Sequence, residues 1–282
     1  MEIKSVGVIG CGLMGSGIVQ MSAISGFDVI VREISEQYLA TGLGKISSQL
    51  EKAVAKGRMD SAKQEEILAR ISGTTDLADL AECDLIIEAV TENVELKQET
   101  WKTLDAICPA NTIFASNTSS IPMHIQAVVT NRQDRFVGLH FFNPVPVMKL
   151  VEVIRAATTS DDTYEAAMQF ARSCRKVPVS CIDTVGFIVN RLLTPYLLDA
   201  IRALEAGIAT AEDIDTGMKL GCGHPMGPLE LLDFVGLDTV LAIAEIMYEE
   251  FKLPQYEAPE MLRRLVKEGK TGRKSGTGIY TY

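Results

Sequence analysis

The sequence is short of several things, and each shortage removes a class of protein. Of 282 residues only 3 are histidine and 1 is tryptophan, and aromatic residues make up 6%. The six cysteines, at 11, 83, 108, 174, 181 and 222, are scattered. None stands in a C-x-x-C and no Cys/His group has zinc-finger spacing, so no metal and no disulfide framework is expected, only reduced thiols in core or loop. Cys222-Gly223-His224 reads as loop. No apolar run reaches the ~20 residues of a transmembrane helix. The N-terminal MEIKSVGVIG lacks a basic leader with a long apolar core, and the C-terminal GIYTY carries no targeting motif. The expectation is a cytoplasmic protein with no membrane association. Lysine and arginine form no long cluster and the net charge is −10, which argues against nucleic acid as the main partner and leaves room for a local basic site for a phosphorylated ligand. What remains, 47% hydrophobic and 23% charged, is ordinary for a globular chain with a sizeable core, of a length for one large domain or two smaller ones.

Glycine is where the sequence is rich early. The apolar run Ile3–Ile9 ends in Gly10-Cys11-Gly12-Leu13-Met14-Gly15. Ser16–Ser25 reads as a helix closed by Gly26, and Asp28–Arg32 as a second strand with Glu33 at its end. Strand, glycine turn, helix, strand, acid is the order of a dinucleotide site. Gly10 permits the turn, Gly12 lets backbone approach a pyrophosphate, Gly15 lets helix and strand pack, and the helix N-terminus faces the anion. Glu33 follows Gly15 at close to the expected spacing of about 20 residues. An acid there accepts hydrogen bonds from both ribose hydroxyls and favours NAD over NADP; Arg32 beside it is able to accommodate a 2′-phosphate, which leaves NADP open.

A second stretch, Arg135–Ile154 (RFVGLHFFNPVPVMKLVEVI), has two apolar strand-like runs around Asn143-Pro144 and Pro146. Proline is excluded from central strands, so the segment between is a loop. A reversal there brings His140 and Glu152 side by side, and a carboxylate against an imidazole fixes its tautomer and favours its protonated form. Two readings stand on this stretch alone: an acid–base pair, or a satisfied core histidine with an acid facing solvent.

Between these stretches the pattern is α/β. Glu36–Lys56 is a helix with Leu39, Leu43, Ile46, Leu50 and Val54 on one face. Lys45, Lys52 and Lys56 lie on the other, either a solvated face or a landing site for phosphates. Asp60–Arg70 reads as a second helix, Ile71–Thr75 and Asp84–Ala89 as strands, Val94–Cys108 as a helix carrying Lys97, and Thr112–Ser116 as a strand. Glu92, Asn117 and Ser119 all fall just past carboxyl ends of strands, where open α/β sheets bind ligands. Asp161–Arg175 (helix) and Val177–Ile182 (strand) complete the pattern.

The strings GVIGCGLMGSGI, SNTSS, RFVGLHFFNPVPVMKLVEVI, GFIVNR and GRKSGTGIY, in this order and spanning nearly the whole chain, resemble the L-3-hydroxyacyl-CoA dehydrogenase family, and most of all its short bacterial 3-hydroxybutyryl-CoA dehydrogenases. The resemblance implies reversible reduction of an acetoacetyl-CoA-type thioester by NADH. It makes His140 the catalytic histidine, Glu152 its partner, and Ser119 and Asn190 substrate-side hydrogen-bond donors. Gly10, Gly12, Leu13, Met14, Gly15, Glu33, Glu92, Lys97, Asn117, Asn143 and Lys274 become cofactor-side positions, and the Lys52/Lys56 helix the region that touches CoA. The family more often has Asp at Glu33.

After Asp183-Thr184-Val185-Gly186 no strand is expected before the tail. Phe187–Ala206 reads as a helix kinked at Pro195, with Asn190 in its first turns. Thr210-Ala211-Glu212-Asp213 opens a further helix to about Leu220. Pro228–Phe234, Asp238–Phe251 and Pro259–Glu268 follow, with a core stripe of Leu241, Ala244, Met247 and Phe251. The basic tail Gly272–Gly278 is flexible by composition, folding back over a cofactor or staying disordered. The expected architecture is a doubly wound Rossmann-type NAD-binding domain, 1–184, followed by an all-helical domain, 185–282, that supplies the substrate cleft and a homodimer interface. Two rivals stay open: a dehydrogenase of the same fold acting on a free polyol or hydroxy acid, and a non-catalytic NAD-sensing protein.

Overall fold

A computed structural model describes residues 2–282. The chain divides into one unit ending at Thr184 and another running Val185–Tyr282.

The first unit is built on one eight-stranded sheet: β1 (Ser5–Ile9), β2 (Asp28–Arg32), β3 (Ile71–Thr74), β4 (Leu85–Glu88), β5 (Ile113–Ser116), β6 (Phe136–Phe141), β7 (Leu150–Arg155) and β8 (Val177–Ile182). Their spatial order is β3-β2-β1-β4-β5-β6-β7-β8. β1 lies between β2 and β4, so the winding reverses between β1 and β4, where doubly wound sheets open a ligand crevice. Strands β1 to β6 pair in parallel, and β7 runs antiparallel to β6 with β8 parallel to β7. The reversal follows from length: residues 142–149 are too few for the crossover that a parallel partner requires.

Helices cover both faces. α1 (Leu13–Ile24), α2 (Glu36–Ala55), α3 (Ser61–Ala69), α4 (Val94–Ile107), α5 (Met123–Ala127) and α6 (Asp161–Ser173) complete the unit. Ile113 and Ala115 of β5 share a core cluster with Ile18 of α1, Ile46 of α2 and Phe170 of α6. Phe114 between them turns to the other face, where Trp101 of α4 stacks on it at 5.0 Å and meets Phe136 edge-on. Side-chain caps fix the helix starts: Ser35 accepts from Tyr38 N–H, Asp60 from Lys63, Asn93 from Leu96 and Ser160 from Thr163.

The helical unit contains α7 (Val189–Glu205), α8 (Ala211–Cys222), α9 (Pro228–Val235), α10 (Leu237–Phe251) and α11 (Glu260–Lys267). Its core joins Leu197, Leu198 and Ile201 of α7 to Leu229 and Leu232 of α9, Val240 and Ala244 of α10, and Leu262 of α11. Among the described residues no helix is long and apolar enough to cross a membrane.

Two expectations need correction, and one element was not anticipated. Helix α1 begins at Leu13 and not Ser16, because Gly12, extended at φ −71°, is its N-cap and the glycine motif forms its first turn. α5, a single turn after Pro122, carries no periodicity to read. The tail is not loose: Asp233 of α9 accepts the Ile279 and Tyr280 N–H groups, both at 2.8 Å, and Asp215 of α8 accepts the Tyr280 hydroxyl at 2.7 Å. α7 continues through Pro195, with Asn190 in its first turn.

Candidate active site

At the carboxyl end of β1 the chain turns through Gly10 at φ +94°, where a Cβ would stand 2.8 Å from the Ala89 carbonyl oxygen. A Cβ on Gly15 would lie 1.9 Å from the Gly10 oxygen, so α1 packs on the turn with no room for a side chain. Gly12 is different: a Cβ there meets nothing within 4 Å. That space lies before the α1 N-terminus, which no side chain caps and whose first turn holds no acid, leaving its N–H groups to an anion.

Beside this turn a cavity of about 370 Å³ is lined by Gly10, Gly12, Arg32, Glu33, Tyr38 and Leu96, among others. Glu33 Oε1 accepts the Cys11 N–H at 2.6 Å and Oε2 the Ile34 N–H at 3.0 Å. Each oxygen keeps a lone pair for a ribose hydroxyl. Arg32 Nε donates to the Thr75 carbonyl at 3.2 Å. Burial, and then the Glu33 carboxylate, push the Cys11 thiol up to about 11 against the pull of Lys45, so it is not a nucleophile at neutral pH. A nicotinamide dinucleotide fits this set: an open glycine, an uncapped helix end and an acid on an adenosine-sized cavity.

The second locus lies at the ends of β5, β6 and β7. The β6–β7 register sets His140 directly opposite Glu152. Both are buried, and His140 Nδ1 is 2.6 Å from Glu152 Oε2. A carboxylate only accepts, so Nδ1 carries the proton and Nε2 is left to address the opposite side. Ser119 Oγ stands 3.1 Å from Nε2. Ser119 is on the loop after β5, where its N–H donates to Glu92 at 2.7 Å and the neighbouring Thr118 hydroxyl does the same at 2.8 Å. Asn117 Oδ1 accepts the Phe141 N–H at 2.9 Å and ties that loop to β6. The arrangement can hand a proton to, or take one from, an oxygen placed beside Ser119 and Nε2.

Residues 5–184 match the family model described as "3-hydroxyacyl-CoA dehydrogenase, NAD binding domain", and residues 186–282 match the C-terminal domain of the same family. The chain belongs to the 3-hydroxyacyl-CoA dehydrogenase family. It is therefore an NAD-dependent oxidoreductase, and the resemblance carried by its five motif strings holds. A probable 3-hydroxybutyryl-CoA dehydrogenase of Deinococcus radiodurans is 48% identical over 98% of this chain and 99% of the relative. The mitochondrial hydroxyacyl-coenzyme A dehydrogenase of Homo sapiens is 48% identical over 99% of this chain and 91% of its own length. The crystal structure of (S)-3-hydroxybutyryl-CoA dehydrogenase from Ralstonia eutropha superposes with a TM-score of 0.96 at 45% identity, covering 100% of this chain and 99% of that one.

Within this dehydrogenase the expected residues are distributed as follows. Gly10, Gly12, Leu13, Met14, Gly15 and Glu33 gather at the first locus, and Ser119, His140, Glu152, Glu92 and Asn117 at the second. Asn143 shares a cavity of about 350 Å³ with Leu13, Lys45, Gln49 and the Pro144–Val147 segment. Lys52 and Lys56 are exposed at the end of α2, while Lys45, read from the sequence as part of the same basic face, lines that cavity together with Gln49, which was not singled out. Lys97 is buried against Glu88 and Glu92 and does not face the adenosine cavity. Lys274 pairs with Asp238 at 2.7 Å inside the helical unit, as Asn190 sits inside α7. Thr118 and Glu88 were missed. Both are silent in sequence, one as a turn residue and the other as the last position of an apolar strand.

Proposed function

We propose that the enzyme interconverts short-chain 3-ketoacyl-CoA and 3-hydroxyacyl-CoA, acetoacetyl-CoA and (S)-3-hydroxybutyryl-CoA in particular, with His140 as general acid and base. The observation that carries this reading is the histidine held between an acid and a hydroxyl: Glu152 on Nδ1 at 2.6 Å and Ser119 on Nε2 at 3.1 Å. When bound, NAD(H) supplies or takes the hydride at C3 of the acyl group. In the reducing direction the His140 imidazolium gives its Nε2 proton to the forming alkoxide. In the oxidising direction the neutral ring takes it back. Ser119 donates a hydrogen bond to that oxygen, and Asn190 is the second donor in this proposal. Glu152 holds the ring orientation and balances the imidazolium charge.

Glu33 binds the adenosine ribose, with Asn117, Asn143 and Lys274 as further cofactor-side positions. Arg32 is engaged by Thr75, which supports NAD over NADP. Lys52 and Lys56, with Lys45, supply positive charge for the CoA phosphates. A homodimer through the helical unit completes the reading. Its support is the exposed apolar set Leu192, Ile208, Leu220 and Phe234, and a monomer in sedimentation at micromolar protein would remove it.

The test of activity is the loss of reduced-nicotinamide absorbance with acetoacetyl-CoA, run with NADH and NADPH and with free acetoacetate as control. Oxidation of NADH with the thioester alone is expected. Turnover of the free acid instead would favour the polyol or hydroxy-acid rival, and cofactor binding with no turnover the sensor.

A further inference from the structure

A buried set of charges at the ends of β4 and β5 has no part in the steps above. Glu88, the last residue of β4, is fully buried. Its Oε2 accepts the Ser116 hydroxyl at 2.7 Å, and its Oε1 accepts the Lys97 ammonium at 2.6 Å and the Val90 N–H at 2.7 Å. Lys97, on α4, is 1% exposed, and its Nζ is also 3.2 Å from Glu92 Oε2. Glu92 in turn accepts from Thr118 Oγ1 and from the Ser119 N–H.

We propose that Lys97 and Glu88 are positioning residues for proton transfer: the buried pair holds Glu92, and through it the Thr118–Ser119 backbone, so that Ser119 Oγ meets His140 Nε2 and the substrate oxygen together. This rests on the reading of Ser119 as a substrate-side donor. It also moves Lys97 from the cofactor contact implied by family resemblance to a role exerted through another side chain. In this structure the ammonium is turned towards Glu88 and Glu92 and away from open space. Two of its three donors are already committed to carboxylates. Without that cation, Glu88 and Glu92 would present like charges to one another, and Glu92, which is 39% exposed at its side chain, has water to turn towards. The Ser119 N–H would then lose its acceptor. A lysine suits the place because its compact ammonium satisfies two carboxylates approaching from different elements, where a guanidinium imposes a planar fork.

The test compares wild type, Lys97→Met/Glu88→Gln, Ser119→Ala and the triple variant. The paired substitution removes both charges of the buried pair and strands neither. NADH Kd, from fluorescence titration, is expected to stay within about 3-fold, while kcat with acetoacetyl-CoA falls about 10- to 100-fold through misplacement. In the Ser119→Ala background the pair should cost less than about 2-fold more, because both changes remove one contribution. Losses that multiply would overturn the proposal. So would NADH binding weakened 10-fold at retained kcat, which returns Lys97 to the cofactor. Should the paired variant not fold, Lys97→Arg takes its place with the same readouts. One readout needs no turnover. With 3 histidines in the chain, the ¹⁵N ring signals are resolvable. The His140 signal should move in the paired variant as it does in Ser119→Ala, with His224 unmoved. A stationary His140 signal refutes the positioning role whatever the substrate proves to be, whereas lack of wild-type turnover speaks only against the substrate.

Discussion

In the α/β unit the buried carboxylates of Glu88 and Glu152 face side chains that carry charge or move protons, Lys97 and His140. In the helical unit those of Asp215 and Asp233 face backbone amides and tyrosine hydroxyls: Leu229, Glu230 and Tyr280 for the first, Ile279, Tyr280 and Tyr282 for the second. All four are nearly inaccessible to water. Burial of an acid is thus no guide to chemistry. An acid satisfied by main-chain donors fixes a fold, because such donors cannot leave. An acid satisfied by an imidazole sets a proton in place and can respond when that proton moves.

The sharpest way to break this contrast is at His140. His140→Ala should lower kcat by about 10²–10⁴ with NADH binding nearly unchanged and the melting temperature lowered, because the buried Glu152 loses its imidazole; a rate within a few-fold of wild type would reject the acid–base role. Glu152→Gln should lower kcat at least ~10-fold and change its pH dependence, since the amide cannot balance an imidazolium. Next come the glycines. Gly12→Ala has open space for its Cβ, so stability should hold while NADH binding weakens about tenfold or more; Gly15→Ala, driven into the Gly10 carbonyl, should lose at least ~2 kcal/mol of stability. Calorimetry beside an NADH titration separates the two. In the helical unit Tyr280→Phe removes one hydrogen bond to Asp215 and should cost about 1 kcal/mol with kcat within about 2-fold. A large kinetic loss there would mean that the tail anchor also serves the site.

The smallest effect expected is a difference in pH response. Burial works to raise Asp84, but the Ser5 and Lys4 amides and the Ser5 hydroxyl outweigh it and hold the carboxyl low. Asp105 is likewise held low against burial by the Asn131 amide and Arg132. Values depressed on folding give stability that is complete above the usual carboxylate range, near 3.9, and is lost as pH falls through the folded values. The α/β unit should therefore weaken below about pH 4, less so in Asp105→Asn. Burial, and then the Asp215 hydrogen bond, push the Tyr280 hydroxyl upward. Its contribution is complete below about pH 10 and lost above it. Buried thiols such as Cys83, pushed up to about 12 by burial first of all, act in the same direction in the α/β unit, so only the acid limb of a melting-temperature profile tells the units apart.

What could be read from sequence was whatever depends on neighbours in the chain. Asp28–Arg32 and Val177–Ile182 were legible as strands to the residue, being short β-branched runs bounded by Gly26 and Phe27 on one side and by Arg175 and Asp183 on the other. The α10 helix, read from its apolar stripe, and the Thr210 cap of α8 were legible for the same reason. The doubly wound plan followed from the alternation of these elements. What was hidden depends on distant partners. The Gly272–Gly278 tail has the composition of a flexible end, and the acids that hold it and the residues after it, Glu230, Asp233, Asp238 and Asp215, stand more than thirty residues earlier. Lys97 reads as one charge among several on α4, and nothing local reveals that Glu88 waits for it at the end of an apolar strand. At the first locus the glycines themselves concealed the start of α1, since a helix opened by Gly12 and containing Gly15 and Gly17 looks like a turn.

The β6–β7 hairpin divides the sequence into parts of unequal freedom. His140 and Glu152 meet because they are register partners, and slipping either strand by one residue would send one of them to the opposite face of the sheet. Of the segment between them, 142–149, Val145 is buried in the core, but the exposed Pro146–Lys149 stretch has no such obligation: residues added there lengthen a surface loop at modest entropic cost and leave the pairing intact. Asn143 and the Val145–Val147 stretch of that loop line the cavity shared with Lys45 and Gln49. A change confined to the exposed Pro146–Lys149 stretch therefore reshapes the rim of this cavity, with Asn143, Val145 and the His140–Glu152 pair carried along unchanged.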